Sequence, residues 1–437
     1  MFGTSGIRGE VGETITADLA VDLGRALASY GADSVVVGRD PRPTGEFLAD
    51  AISAGLRECG ADVVDVGMAS NPTIARSVSW QDADAGVAIT ASHNPASDNG
   101  FKLWTPSGQA FNEGQRQAIS DLLEGEAVDL PPWDQTGSKR SWEGAVDRHV
   151  DALLDATGEV DPLDVVVDVG NGAGAVTARA LDELGCHVET LNAQPDGRFP
   201  ARPSEPTAEH CKGLIEYVEA TDADLGIAHD GDADRMRAID DEGQFLAGDT
   251  FLALFGRDAA GDGDTVAAPV NTSLAVNDAL DSVGASLTRT KVGDVYVAEA
   301  ATDDDVVFGG EPSGAWIWPA ETLCPDGPLA ACQLVELVSR RGPLSTLADA
   351  VDNVPIRRES IQVDEKRDVM AQVAADVQAS YDDVTTIDGV HVDVGDGWFL
   401  VRASGTQPLI RLTAEARDRN RCEELLATAR EFVEPSN

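Results

Sequence analysis

One supersecondary unit occurs three times along the chain, and it limits the fold more than any other feature. "DSVVVGRD" (33–40) is a β-branched run followed by the helical stretch "TGEFLADAISAGLREC", Gly60 and "ADVVDVG". "LDVVVDVGNG" (163–172) is followed by "AGAVTARALDELG" and "CHVETL", and "GDTVAAPVN" (263–271) by "TSLAVNDALDSVG" and "ASLTRTKVG". Each copy reads strand, tight turn, helix, glycine C-cap, strand, which is the pattern of a βαβ unit. Such units cover a largely parallel sheet with helices, and three copies predict three related α/β domains. The tail departs from the pattern. After "VDNVPIRRESIQVD" comes a helical run (366–380), then short alternating strands in "TTIDG", "VHVDV", "WFLVRAS" and "LIRLTAEA", then a last helix (418–433). That order predicts a smaller α+β domain with an antiparallel sheet. The expected division is 1–145, 146–245, 246–350 and 351–437, with "LPPWDQTGS" (130–138) a linker or surface loop near the first boundary.

Charge narrows the class of ligand. The chain carries 77 Asp+Glu against 32 Lys+Arg, a formal net charge of −45. Such a surface repels nucleic-acid phosphates and anionic lipid heads, so neither is an expected partner. An anionic ligand would need a local pocket of Arg, Lys, backbone N–H groups or metal. The acid excess is spread over the whole length, and lysine is confined to Lys102, Lys139, Lys212, Lys291 and Lys366. This resembles the composition of a protein from a very salty, halophilic cytoplasm. The cysteines (59, 186, 211, 324, 332, 422) include no C-x-x-C and predict small buried apolar residues, not a zinc site or disulfide framework. "MFGTSGIRGE" lacks a basic stretch followed by an apolar run, and no segment approaches about 18 apolar residues, so a soluble cytoplasmic protein is expected.

In open α/β sheets, ligands bind beyond the carboxyl ends of the strands, and three polar loops occupy that place. Ser92, in "TASHNPASDNGFK" (90–102), follows "AGVAIT" (85–90), and the rare Lys102 closes the same stretch. Asp230, Asp232 and Asp234, in "HDGDADR", follow "ADLGIA" (223–228), and Glu311, in "GGEPSG", follows "DVVFG" (305–309). One such loop in each of three domains predicts a shared central cleft. Carboxylates at alternate positions around a glycine can turn toward one hard cation, and Mg²⁺ takes oxygen ligands nearly octahedrally. A calcium EF-hand needs Gly and Glu at its sixth and twelfth positions, where this chain has Arg235 and Asp241. So acidic a chain also makes Asp-x-Asp runs by accident, as in "GDGDT" and "TDDDV"; the position after a strand, beside Arg235, is what favours a metal. "RASGTQP" (402–408) sets Ser404, Gly405 and Thr406 near Arg402 and Arg411, which suits a phosphate dianion or a plain β-turn. "GTSGIRG" (3–9), with Arg8, is open to the same two readings, and Lys291 in "TKVGD" either touches phosphate or is simply solvated.

Taken in order, "FGTSGIRG", "TASHNP", "DGDADR", "GEPSG" and "RASGTQP" resemble the signature loops of the α-D-phosphohexomutase superfamily, over nearly the whole chain. Its members are phosphoglucomutases, phosphomannomutases and phosphoglucosamine mutases. The resemblance implies three related α/β domains with mixed sheets and a smaller C-terminal α+β domain around a central cleft. It implies that Ser92 carries a phosphoryl group, gives it to a hexose 1-phosphate or 6-phosphate, and recovers the other one from the hexose 1,6-bisphosphate after this turns over in the cleft. Mg²⁺ would be held by Asp230, Asp232, Asp234 and the phosphoserine at Ser92. Lys102 would be the general acid/base, with Arg8 and Arg235 as nearby donors and His93 shaping or assisting the serine loop. Glu311 and Ser313 would address the sugar, Lys291 the substrate, and Arg402, Ser404, Gly405, Thr406 and Arg411 the phosphate. A homodimer is a further expectation.

Two departures bear on the substrate. Gln407 stands where many members have Glu, and Pro312 with "AWIWP" changes the sugar loop. "GEPSGAWIWP…CPDG" is most similar to archaeal phosphoglucosamine-mutase-like members, so glucosamine phosphate is the expected substrate, with phosphomannomutase or phosphoglucomutase activity as the alternative. A non-catalytic sugar-phosphate binder would not need Ser92, Lys102 and three aspartates together, and a phosphatase would release phosphate steadily. A Ser–His hydrolase is disfavoured: G-x-S-x-G is missing, and adjacent side chains rarely face each other productively.

Overall fold

The computed structural model describes residues 3, 6–125, 130–363, 365–404 and 409–434. The runs predicted as buried strands are so: Val35, Val36 and Val37, like Val165, Val166 and Val167, are at most 2% exposed. Branched side chains on both faces of a strand are stable only where both faces are covered. In the first sheet, Ser34–Arg39 lies between Asp62–Met68 and Ala85–Ile89, parallel to both, and Asp98–Trp104 pairs antiparallel with Ala85–Ile89. The second sheet repeats this plan with Asp164–Asp168 between His187–Leu191 and Leu225–His229, and Met236–Ile239 antiparallel at the end. The third does so again with Thr265–Pro269 between Ser286–Thr290 and Val306–Gly310, and Trp316–Ile317 antiparallel. The repeat read as three βαβ units is thus one topology used three times, each closed by an antiparallel strand.

The first sheet has two additions. Ile7–Glu10 pairs with Asp98–Trp104, and Lys139–Ser141 adds a parallel edge beside Asp62–Met68. Segment 130–138 therefore leads into that edge strand. The tail forms an antiparallel sheet in the order Ile356–Gln362, Leu409–Ala416, Gly397–Ala403, Val390–Asp393, Val384–Thr385. Of the expected strand "TTIDG" only the start belongs to the sheet; Gly389, with φ +82, turns the chain before Val390.

Cores do not follow the sheets one by one. Helix Gly327–Arg341 packs against Ala145–Asp155 and Ala175–Glu183, so the second and third sheets share one apolar core through Leu153, Val176, Phe251, Phe255, Leu334 and Val338. The tail has a separate core around Val377, Phe399, Val401, Ile410 and Leu412. It meets the third sheet through Val270, Trp398 and Leu400. No helix among the described residues is long and apolar enough to cross a membrane.

Candidate active site

The carboxyl ends of the three related sheets open on one cleft of about 490 Å³. Arg8, Ser92 and Lys102 reach it from the first sheet, and Asp234 and Arg235 from the second. Lys291, Glu311 and Ser313 come from the third, and Arg402, Ser404 and Arg411 from the tail. Gly405, Thr406 and Gln407 lie outside the described residues, as do Thr4 and Ser5 of the first loop.

Ser92, in the turn after the buried strand Ala85–Ile89, is in the left-handed region at φ +50, a conformation that costs a non-glycine residue about 1 kcal/mol or more unless its neighbours enforce it. They do. The Ser92 N–H donates to Thr90 Oγ1 at 2.8 Å, and Arg42, fully buried, grips the loop from behind. Its guanidinium donates to the carbonyls of Ser92 (2.9 Å), Asn94 (2.8 Å), Pro95 (2.5 Å) and Asp98 (2.8 Å), while Nε pairs with Asp40 at 3.0 Å. The turn aims Ser92 Oγ at Asp230 Oδ2, 2.5 Å away. It also lies 3.3 Å from His93 Nδ1, so the adjacent side chains do touch, because the left-handed turn folds the backbone between them. Burial, then Arg235 and Arg8, push the His93 pKa down to about 2, so the ring is a neutral neighbour.

Asp230, Asp232 and Asp234 are all buried, and one carboxylate oxygen of each lies within 4.8 Å of the others. Ala233 at φ +56 makes the tight turn that brings alternate side chains to one side. Three such charges out of water repel one another: burial first, then Asp232 and Asp234, raise the Asp230 pKa well above the carboxylate range. Burial acts likewise on Asp232, but Lys102 and Arg8 outweigh it and hold that group low. Lys102 Nζ lies 3.3 Å from Asp232 and also bonds Asp234; burial opposes its charge, yet the two carboxylates win and raise its pKa. Asp232 Oδ1 is buried with no hydrogen-bond partner. An oxygen-only, strongly anionic pocket with an orphaned acceptor suits a small divalent cation.

The other end of the cleft is looser. Glu311 accepts from Gly293 N–H at 2.7 Å and from Ser313 Oγ at 3.2 Å; burial and then Asp294 raise its pKa to about 7. Lys291 is exposed over the Tyr296 ring, 5.1 Å from its centre. Arg402 lies 3.5 Å from Asp388, whose other contact, Val292 N–H at 3.1 Å, ties the tail to the third sheet.

Sequence reading missed the groups that hold the site from behind. Asn71 donates to Asp234 Oδ2 at 2.9 Å, its backbone N–H to the Asp232 carbonyl at 2.8 Å, and its own Oδ1 accepts from Trp104 at 3.1 Å. It opens helix Asn71–Trp80, capped by Ser70, and that helix is anchored by Arg76 and His149 converging on buried Asp326 at 2.8 and 3.1 Å. Arg42 had a local signal, since "GRDPRP" places Asp and Arg two apart at a strand end; Asn71 had none.

Four matches to the phosphoglucomutase/phosphomannomutase family follow one another along the chain. Its alpha/beta/alpha domains I, II and III match residues 1–128, 147–243 and 247–354, and its C-terminal domain matches 360–432. A protein of Methanopyrus kandleri named "Probable phosphoglucosamine mutase" is 46% identical over 97% of this chain and 95% of its own. The chain belongs to this family. Another relative of the same name, from Methanothermobacter thermautotrophicus, is 43% identical over 99% of this chain and 98% of its own. Among solved structures, a phosphoglucomutase/phosphomannomutase family protein of Burkholderia thailandensis superposes with a TM-score of 0.88 at 29% identity, covering 100% of this chain and 99% of that one. The N-acetylphosphoglucosamine mutase of Aspergillus fumigatus, solved with GlcNAc-6P and magnesium, shares the fold with a TM-score of 0.61 at 15% identity, covering 99% and 95%. The resemblance read from five short loops is borne out along the full chain.

Proposed function

We propose that the chain is a phosphohexomutase acting on glucosamine phosphate, with Ser92 as the residue that carries the phosphoryl group. The observation that supports this most is the 2.5 Å approach of Ser92 Oγ to Asp230, in a cluster with the buried Asp232 and Asp234, at a cleft lined by Ser92, Lys102 and Asp234. Phosphoserine 92 donates its phosphoryl group to a free hydroxyl of a hexose monophosphate: the bond from phosphorus to Ser92 Oγ breaks, one to the sugar oxygen forms, and the hydroxyl proton leaves. The resulting 1,6-bisphosphate turns over and returns its other phosphoryl group to Ser92. Asp230, Asp232 and Asp234 would hold Mg²⁺ with the Ser92 oxygen; when bound, it neutralises charge on the transferring group.

Lys102, as paired here, is a fixed ammonium and stabilises anionic oxygen. To take the hydroxyl proton it must first release its own to solvent; a cation seated on Asp232 and Asp234 would weaken the attraction that holds that proton. Arg8 and Arg235 supply further positive charge, and Glu311 with Ser313 faces the sugar. Lys291, Arg402, Ser404 and Arg411, together with Gly405 and Thr406, receive the distal phosphate. We place the divisions between the four units near residues 145, 245 and 350.

The glucosamine assignment draws on the names of the relatives and on the sugar loop "GEPSGAWIWP". One coupled assay comparing glucosamine, glucose and mannose 1-phosphates tests it; the highest kcat/KM is expected for glucosamine 1-phosphate. Intact-protein mass spectrometry tests the covalent step: a chain never phosphorylated on Ser92, and not labelled by glucose 1,6-bisphosphate, would be a binder. Steady release of inorganic phosphate would make it a phosphatase.

A further inference from the structure

Ser204 belongs to none of the loops that carry the site. It lies in the irregular segment between strand His187–Leu191 and helix Lys212–Ala220 and is 4% exposed. Its hydroxyl makes two bonds at once: it donates to the Ser92 carbonyl at 2.8 Å and accepts the Gly231 N–H at 2.9 Å. One side-chain oxygen therefore joins the main chain of the serine loop to that of the carboxylate loop, 112 and 27 residues away. The fit is close, since a Cβ on Gly231 would stand 2.7 Å from Ser204 Oγ and 2.9 Å from the Ser92 carbonyl.

The segment that presents Ser204 is itself fixed. Arg202 pairs with Asp168 at 2.6 Å and donates to the carbonyl of His229 at 2.7 Å, the residue that ends the strand before Asp230. Phe199 lies under the Arg42 guanidinium, 5.0 Å from its ring centre. The Ser92 carbonyl is thus held from one side by Arg42 and from the other by Ser204, and only the second hold also reaches the carboxylate loop's Gly231.

We propose that Ser204 is a positioning residue for phosphoryl transfer: by bridging the two loops it sets the distance and direction of Ser92 Oγ relative to Asp230. This rests on the reading of Ser92 as the phosphoryl carrier. Ser204 touches no reacting atom in this arrangement. Its hydroxyl is suited to the task because it donates and accepts together; alanine would leave the Gly231 N–H and one hold on the Ser92 carbonyl without that partner.

The test is the rate at which the full-length chain, with Mg²⁺ and glucose 1,6-bisphosphate, takes up a phosphoryl group on Ser92, followed by intact-protein mass spectrometry. Ser204→Ala is expected to slow labelling and kcat by about 10- to 100-fold, the usual cost of a small misplacement of reacting groups. Its KM for the hexose phosphate is expected to stay within about twofold of wild type, the signature of an interaction that acts on the transition state. Ser204→Cys, similar in size but a weak donor and acceptor, should fall between wild type and alanine, and decides the matter if the alanine variant does not fold. Wild-type labelling rates in the variants would overturn the proposal, as would a loss confined to thermal stability or to KM. A wild-type chain that takes up no phosphoryl group would overturn the reading of Ser92, and this inference with it.

Discussion

The two ends of the cleft are built from different kinds of contact. Around Ser92, the groups that matter are buried and bonded across the first and second sheets: Lys102 to Asp232, Asn71 to Asp234, Ser92 to Asp230. Around Arg402, the cations are half-buried or exposed. There the third sheet meets the tail through partly exposed ion pairs such as Arg417–Asp278 and Arg358–Asp249, and through the buried carboxylate of Glu415, which accepts from the Ser273 hydroxyl at 2.5 Å and the Leu274 N–H at 2.8 Å. The proposed function would account for the difference. Reacting atoms need placement to a fraction of an ångström, which buried pairs supply because they cannot relax into water. A distal phosphate, as proposed, would need mainly charge, which half-buried and exposed cations provide.

The comparison predicts a lower kcat from changes at one end and a higher KM from changes at the other. Ser92→Ala should reduce turnover to background with the fold intact by circular dichroism; retained activity would remove the covalent step and with it the reason for the buried end. Asp232→Asn should lower kcat by about 10²- to 10³-fold, the scale for losing a preorganised charge at a developing anion, and should weaken the Mg²⁺ dependence in a metal titration. At the far end, Arg402→Ala should raise KM by about tenfold, the scale for a lost charged hydrogen bond, and leave kcat nearly unchanged. An equal loss of kcat would show that the ends are not separate.

Smaller effects sharpen the same contrast. The Glu311 pKa of about 7 lies above the value of about 4.3 usual for an unfolded chain. The folded state therefore binds the proton more tightly, and this group's contribution to stability is present below pH ~4.3 and is lost as pH rises to about 7. Glu311→Gln, which mimics the protonated form, should flatten that part of the curve, seen as a smaller drop in thermal midpoint between pH 5 and pH 8. Arg417→Ala, at an exposed pair, should change stability by less than about 1 kcal/mol, and less again in molar salt. The whole chain, at a net charge of −45, should melt higher in molar salt than in dilute buffer as like charges are screened; an unchanged midpoint would argue against adaptation to brine.

What could be read from sequence was local. Runs such as "DSVVVGRD" and "LDVVVDVG" determine strands because branched residues on both faces demand a covered sheet. The loops at their carboxyl ends were legible because polar residues after a buried strand have few places to point. The antiparallel strand that closes each sheet was not legible as a repeat, since Asp98–Trp104, Met236–Ile239 and Trp316–Ile317 share no common pattern. The supports of the site were hidden for a different reason. Asn71, Arg42 and Ser204 act on groups up to 163 residues away, main-chain carbonyls among them, and a hydrogen bond to a main-chain carbonyl leaves no mark in the residue that accepts it.

The order of strands, helices and polar loops was thus determined by the chain itself, because side-chain shape and polarity act within a few residues. Which carboxylate faces Ser92, which cation neutralises it, and how far each pKa moves were decided only when the sheets packed together. Burial and the nearest opposite charge set those quantities, and both are properties of neighbours brought together by the fold.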